Sequence, residues 1–229
     1  MRPKFVFLLT VQHTGTWWTI NTLRKHPDIT GFVHVRNVLR HYQKQPLIGI
    51  DEGNPHGECL SETGINLAHT HWFHIYEKGR WQWDTFNDAF VVAVPTLMPL
   101  RDPLLSLLTR HNRDSWMYPH TDLLDEWVRL AASELPISYF KMDEFSTAEF
   151  ATALSAVGLS TQQEWLNKID RNTLHNTSGS YYLKDAYYAR DVKSIEATVP
   201  VLWKYLKQAE LQLRPFLEER GYKNLMWCS

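Results

Sequence analysis

The clearest pattern in the chain is an unbroken apolar run, Phe5, Val6, Phe7, Leu8 and Leu9, which passes through Thr10 and Val11 and turns polar at Gln12, His13 and Thr14. A continuous run, as opposed to an alternating one, predicts a central strand covered on both faces. Gly15, between Thr14 and Thr16, predicts a tight turn. Residues 16–25 then predict a helix that stops before Pro27, which restricts the residue ahead of it. Weak alternation over residues 29–35 predicts a second strand, and residues 36–42 a short helix or loop. Residues 43–63, with Pro46, Gly49, Gly53, Pro55 and Gly57, read as loops or a lid over a cleft. Ile65, Asn66, Leu67 and Ala68 lead a short strand into His69, Thr70 and His71. Residues 90–100 are strand-like, with parts weakened by Pro95 and Pro99, and they run into Arg101, Asp102 and Pro103. Asp102 suits an N-cap and Pro103 a first helical position, so a helix starts there. Leu104, Leu105, Leu107 and Leu108 can face the sheet, which leaves Thr109, about two turns in, to face the cleft. Residues 137–145 predict a strand and an acidic turn, residues 148–157 a helix ended by Gly158, and residues 199–221 a C-terminal helix. Strands alternating with helices imply an α/β fold, a central parallel sheet flanked by helices.

A length of 229 residues suits one domain, taken as residues 1–229, with a sizeable core. Hydrophobic residues at 44% and charged ones at 21% describe a soluble globular protein. The net charge of −1 argues against nucleic acid or an anionic membrane as partner, so any anion site must be local. Cys59 and Cys228, the only cysteines, give neither a metal motif nor a disulfide framework and fit a reducing compartment. The N-terminal apolar run is too short for a signal peptide and lacks a small-residue cleavage site, and no stretch is long enough to span a bilayer. A cytoplasmic protein is expected. Trp72, Trp81, Trp83 and Phe86, interleaved with Lys78 and Arg80, suit a sugar-binding wall; plain packing of a helix and loop accounts for them equally well.

The candidate chemistry gathers at strand ends. A strand-to-helix turn such as residues 10–18 points backbone N–H groups at one spot with the positive end of the helix dipole behind them, which makes an anion site. The hydroxyls of Thr14 and Thr16 can add donors. The turn lacks the lysine and second glycine of the nucleotide P-loop. Arg101 stands at another strand end, beside a helix N-terminus. His69 and His71, two apart in an extended segment, share one face. Three roles are open to them: metal ligation, disfavoured because no Cys or carboxylate stands at the usual spacing; structural bonding to backbone; or general-base work near neutral pH.

His13-Thr14-Gly15-Thr16-Trp17 resembles the 5′-phosphosulfate loop of sulfotransferases, [KR]-[ST]-G-T-[TS]. Arg101-Asp102-Pro103 with Thr109 resembles that family's R-[ND]-P-x(5)-S segment, threonine replacing serine, and the two motifs follow in the family's order. Residues 137–145 are similar to its structural Y-E-D-L strand, and residues 215–222 to its closing helix and G-Y. The resemblance implies a P-loop-NTPase-like sulfotransferase fold with 3′-phosphoadenosine-5′-phosphosulfate (PAPS) as co-substrate, adenosine 3′,5′-bisphosphate (PAP) as product, and no metal. It implies that His13, Thr14, Gly15, Thr16 and Trp17 hold the 5′-phosphosulfate and that Arg101 and Thr109 hold the 3′-phosphate. A late loop at residues 176–184, with Ser178, Gly179 and Lys184, would close over the nucleotide, although a plain surface loop between helices reads equally well. His69-Thr70-His71-Trp72 looks like the strand-end segment of heparan-type members, whose histidine deprotonates the acceptor hydroxyl; His69 is favoured, with His71 close behind. A glycan acceptor is therefore expected. The departure is His13, where the family carries lysine or arginine. A protonated imidazole can do that work, and a bound phosphosulfate raises its pKa, so activity is expected to fall as pH rises. Two other readings remain. A P-loop kinase or NTPase needs a loop lysine and an acidic magnesium ligand, and neither is evident. A non-catalytic carbohydrate-binding protein would use the Trp-rich segment and the histidines without a nucleotide.

Overall fold

The structure is a computed structural model that describes residues 4–45, 58–71, 73–77, 80–83, 89, 91–114, 120–169 and 182–228. Five strands, β1 (Lys4–Thr10), β2 (Ile29–His34), β3 (Ile65–His71), β6 (Thr96–Leu100) and β7 (Ile137–Lys141), form one parallel sheet in the order β2-β3-β1-β6-β7. Between β3 and β6 in the chain, β4 (Phe73–Glu77) and β5 (Arg80–Trp83) pair antiparallel with each other. The helices are α1 (Thr16–Leu23), α2 (Val35–Tyr42), α3 (Pro103–Asp114), α4 (His120–Ala131), α5 (Thr147–Ala156), α6 (Gln163–Asn167), α7 (Tyr182–Tyr188), α8 (Val192–Thr198), α9 (Pro200–Gln208) and α10 (Glu210–Glu219). The expected α/β class, a central parallel sheet flanked by helices, is what these elements make.

The apolar run of β1 is buried on both sides because its residues feed two cores in turn. Phe7 and Leu9 join Met98 and Leu100 of β6, Leu104, Leu107 and Leu108 of α3, and the inner faces of α4, α9 and α10. Val6 and Leu8 join Trp18, Ile20 and Leu23 of α1, Phe140 of β7, and Phe150 and Leu154 of α5. Phe7, Leu8 and Leu9 have no exposed surface. The helices thus cover both faces and leave the carboxyl edge of the sheet to the loops.

Several boundaries differ from the sequence expectation. The strand expected over residues 90–100 is only β6: residues 91–93 are helical and Phe90 lies outside the described residues. Pro95 marks the change, its carbonyl accepting from the Phe7 N–H at 2.8 Å just ahead of the strand. Val35, expected to end β2, instead begins α2, and α1 stops at Leu23, short of Lys25. The expected C-terminal helix over residues 199–221 is two helices, α9 and α10, hinged at Ala209. The β4–β5 pairing lies within residues 73–83, and Trp81 and Trp83 fall in β5 opposite Tyr76 and Phe73. Trp72, Lys78 and Phe86 lie outside the described residues, as does most of the stretch expected to form loops or a lid at residues 43–63. Among the described residues no helix is long and apolar enough to cross a membrane.

Candidate active site

The strand order creates a crevice before any side chain is considered. β1 leads towards β2 on one side of the sheet, while its neighbour β6 leads to β7 on the other. Open α/β sheets bind ligands where two adjacent strands send their connections in opposite directions, beyond the carboxyl ends. The β1–β6 register runs only from Phe7↔Thr96 to Leu8↔Leu97. It stops ahead of Pro99, whose missing N–H cannot carry a ladder onward. The loop after β1 and the arginine after β6 therefore flank the same opening.

The loop curls sharply. His13 (φ 62°) and Gly15 (φ 90°) are both left-handed, which turns the chain from β1 directly into α1. Gly15 is the N-cap of α1 and offers no side chain to the first N–H groups of the helix. Its carbonyl accepts from both the N–H and the hydroxyl of Thr19, each at 3.0 Å. A Cβ at Gly15 would stand 2.4 Å from Met142 Cε, the movable end of that side chain, so the positive φ of the turn is what calls for glycine here. The two threonines differ as well. Thr14 is fully buried and its hydroxyl donates to the Val11 carbonyl at 2.7 Å, so that group is committed within the turn. The Thr16 hydroxyl is buried at the start of α1 with no hydrogen-bond partner among the described residues. Trp17 is exposed beside it, 52% of its surface open, and Trp18 is buried.

Arg101 reaches across the opening. Its Nη1 donates to the His13 carbonyl at 2.9 Å and lies 3.3 Å from Thr109 Oγ1, one guanidinium nitrogen touching both motifs. Nε and Nη2 make no hydrogen bond among the described residues, which leaves an edge of the fork open for an oxyanion. Thr109 stands on α3 as its spacing implied, and its hydroxyl donates to the Leu105 carbonyl at 2.7 Å. Leu104, Leu105, Leu107 and Leu108 are all buried. Asp102 caps α3 by accepting from the Leu104 N–H at 2.8 Å.

Behind Arg101 lies a polar knot. Asp102 Oδ1 also accepts from Trp227 Nε1, and Oδ2 from the Tyr187 hydroxyl, each at 2.8 Å. Asp143 Oδ2 accepts the Asp102 N–H, and Oδ1 accepts the Tyr222 hydroxyl, again at 2.8 Å. Burial pushes the Asp102 carboxyl up to about 6, and the nearby charge of Asp143 adds to the effect. Burial raises Asp143 too, while its hydrogen bonds and the positive charge of Arg101 pull the other way.

The histidines sit on the α1 face of the same edge. In register, His69 stands between Leu8 of β1 and His34 of β2, and His71 stands opposite Thr10. The rings of His34 and His69 are 6.3 Å apart, and those of His69 and His71 5.3 Å, both edge to face. The Thr10 hydroxyl is 2.9 Å from His71 Nδ1 and 3.4 Å from His69 Nε2. Its single proton can go to only one of the two rings, so it ties their tautomers together. Burial pushes the His71 imidazole down to about 4, only partly opposed by Thr10. Among the described residues no group of three or more His, Cys, Asp or Glu side chains is placed to hold a metal ion.

No family model matches the chain. No curated protein matches it either. Among solved structures, the mouse sulfotransferase SULT7A1 complexed with PAP is similar at 11% identity and a TM-score of 0.44, covering 80% of this chain and 69% of that one.

His13, Thr14, Gly15, Thr16, Trp17, Arg101 and Thr109 are thus gathered around one opening, with His69 and His71 along the same edge. Ser178 and Gly179 lie outside the described residues, and Lys184 falls in α7. Sequence reasoning passed over Thr10, Asp143, Tyr187, Tyr222 and Trp227 as site neighbours. Thr10 carried a signal, a hydroxyl closing an otherwise apolar strand. The other four are distant in sequence, and only the tertiary structure brings them to Arg101.

Proposed function

We propose that the chain is a sulfotransferase that moves a sulfuryl group from PAPS to an acceptor hydroxyl, with carbohydrate as the acceptor class. The observation that carries this is the 2.9 Å bond from Arg101 to the His13 carbonyl, which joins, at the sheet's switch point, the two stretches that resemble the family's phosphate-binding motifs. The residues fit such a ligand. A buried hydroxyl at a helix N-terminus with no hydrogen-bond partner among the described residues, Thr16 Oγ1, suits an anion oxygen, and the open edge of Arg101 suits a phosphate.

In this reading the N-terminal N–H groups of α1 and the Thr16 hydroxyl hold the 5′-phosphosulfate. Arg101 forks onto the 3′-phosphate, with Thr109 at its side, and residues 176–184 close over the nucleotide. When bound, PAPS supplies an activated sulfuryl group on a phosphate leaving group. His69 takes the proton of the acceptor hydroxyl as its oxygen bonds to sulfur and the sulfur–phosphate oxygen bond breaks. His13, when protonated, offsets the charge left on that phosphate oxygen. His71, its pKa held low, is neutral at working pH and a weak base; through Thr10 it orients His69. Catalysis rests on positioning and charge neutralisation.

The test is transfer from labelled PAPS to a panel of glycans, alongside PAP binding by calorimetry. Arg101→Ala should lose both. His69→Ala should bind PAP within twofold of the wild type yet transfer roughly 10²–10⁴-fold more slowly, the usual worth of a general base. Magnesium-dependent ATP turnover without transfer would replace this reading with the kinase one. Glycan binding without any PAP binding would replace it with the lectin one.

A further inference from the structure

Two carboxylates stand behind Arg101, Asp102 buried and Asp143 partly buried, and neither has an ion-pair partner within salt-bridge distance among the described residues. Buried charge without a counter-ion is costly and calls for a reason. Their hydrogen bonds supply one. The β6–β7 ladder carries on past β7 through the bond from the Met142 N–H to the Leu100 carbonyl at 2.8 Å. One residue later the ladder has no backbone rung, and Asp143 Oδ2 takes that place by accepting the Asp102 N–H. The peptide joining Arg101 to Asp102 is therefore gripped by a side chain. The other oxygen of Asp143 is fixed by the Tyr222 hydroxyl, which comes from the segment after α10. Asp102 is in turn braced by Tyr187 of α7 and Trp227 of that same C-terminal segment. The reach of the Arg101 guanidinium to the His13 carbonyl and Thr109 depends on where this peptide sits.

We infer that Asp143 is a positioning residue for Arg101: locked by Tyr222, it holds the Arg101–Asp102 peptide so that the guanidinium spans the opening to the loop. This rests on the proposed nucleotide reading and adds the C-terminal segment to the binding apparatus. Asp143 touches no substrate; it acts through the backbone and, by its charge, on the arginine itself. Asparagine in its place removes the charge and leaves one acceptor oxygen, so the Asp102 N–H and the Tyr222 hydroxyl can no longer both donate to carboxylate oxygens. The consequence is specific. Only the end of the ligand that Arg101 takes, the 3′-phosphate, loses affinity.

The experiment compares PAP with adenosine 5′-monophosphate, which lacks the 3′-phosphate, by calorimetry on the full chain. The wild type is expected to prefer PAP at least tenfold. Asp143→Asn should reduce that preference below threefold with affinity for the monophosphate within twofold of wild type. Tyr222→Phe should lower the preference about threefold, and the double variant should match Asp143→Asn, because both changes release one grip. A merely structural role would weaken both nucleotides alike, and that outcome overturns the inference, as does a full PAP preference in both single variants. If Asp143→Asn fails to fold, Tyr222→Phe decides alone: an unchanged preference rejects the inference. A wild type that binds neither nucleotide removes the functional reading itself, and this inference with it.

Discussion

His13 is the residue on which the proposed chemistry most depends. It sits in the left-handed region with its carbonyl engaged by Arg101, in the place where a permanent cation would be expected. An imidazole carries charge only while protonated, so transfer should decline as pH rises through the titration of the loaded site. His13→Lys should flatten that decline and raise the rate at pH 9 several-fold over wild type, read as initial rates with labelled PAPS. An equal decline in both proteins would take the pH dependence away from His13. Gly15 permits a simpler check. Its φ of 90°, a region that L side chains rarely adopt, means that Gly15→Ala should cost about 1–2 kcal/mol in denaturant unfolding. Asp102 adds a pH signature of its own. Its folded pKa of about 6 lies above the ordinary 3.8, so its stabilising contribution is full below pH 3.8 and is lost as pH rises through 6. Asp102→Asn cannot titrate, and its stability should fall less between pH 4 and pH 8 than that of the wild type, by about 1–3 kcal/mol. Parallel curves would show that the carboxyl does not titrate in this range.

At the scale of elements, the parts carried by local chemistry were legible and the parts carried by distant contacts were not. The run Phe5 to Leu9 announced a strand covered on both faces, and the Asp102-Pro103 pair announced the start of α3, because each signal lies within a few adjacent residues. The Leu104 to Leu108 pattern also told which face of α3 meets the sheet and left Thr109 beside Arg101. Residues 90–94 misled because an apolar run does not tell strand from helix, and Pro95 ended one element where it was taken to weaken the middle of another. The break at Ala209 was hidden because apolar spacing continues through both α9 and α10. The segment after α10 gave no periodic signal, yet it ties Trp227 and Tyr222 to the start of α3 and the end of β7. Trp227 is fully buried, so Trp227→Ala should cost about 3–5 kcal/mol by thermal or denaturant unfolding. A loss below 1 kcal/mol would mean that this segment is not packed as described.

At the scale of the whole molecule, strand order does what no motif can do alone. The order β2-β3-β1-β6-β7 sends the chain out on one side of β1 and back on the other, so the exits of β1 and β6 diverge at the carboxyl edge. The two motifs meet there although they are far apart in sequence, and the histidines of β3 line the neighbouring stretch of the same edge. The central claim is that this opening takes a doubly phosphorylated adenosine with the loop at one phosphate and Arg101 at the other. The most direct measurement is a crystal structure with PAP bound. The account predicts the 5′-phosphate within hydrogen-bond distance of the α1 N-terminus and Thr16 Oγ1, and the 3′-phosphate forked by Arg101. PAP seated elsewhere, or bound with Arg101 turned away from it, would contradict the account.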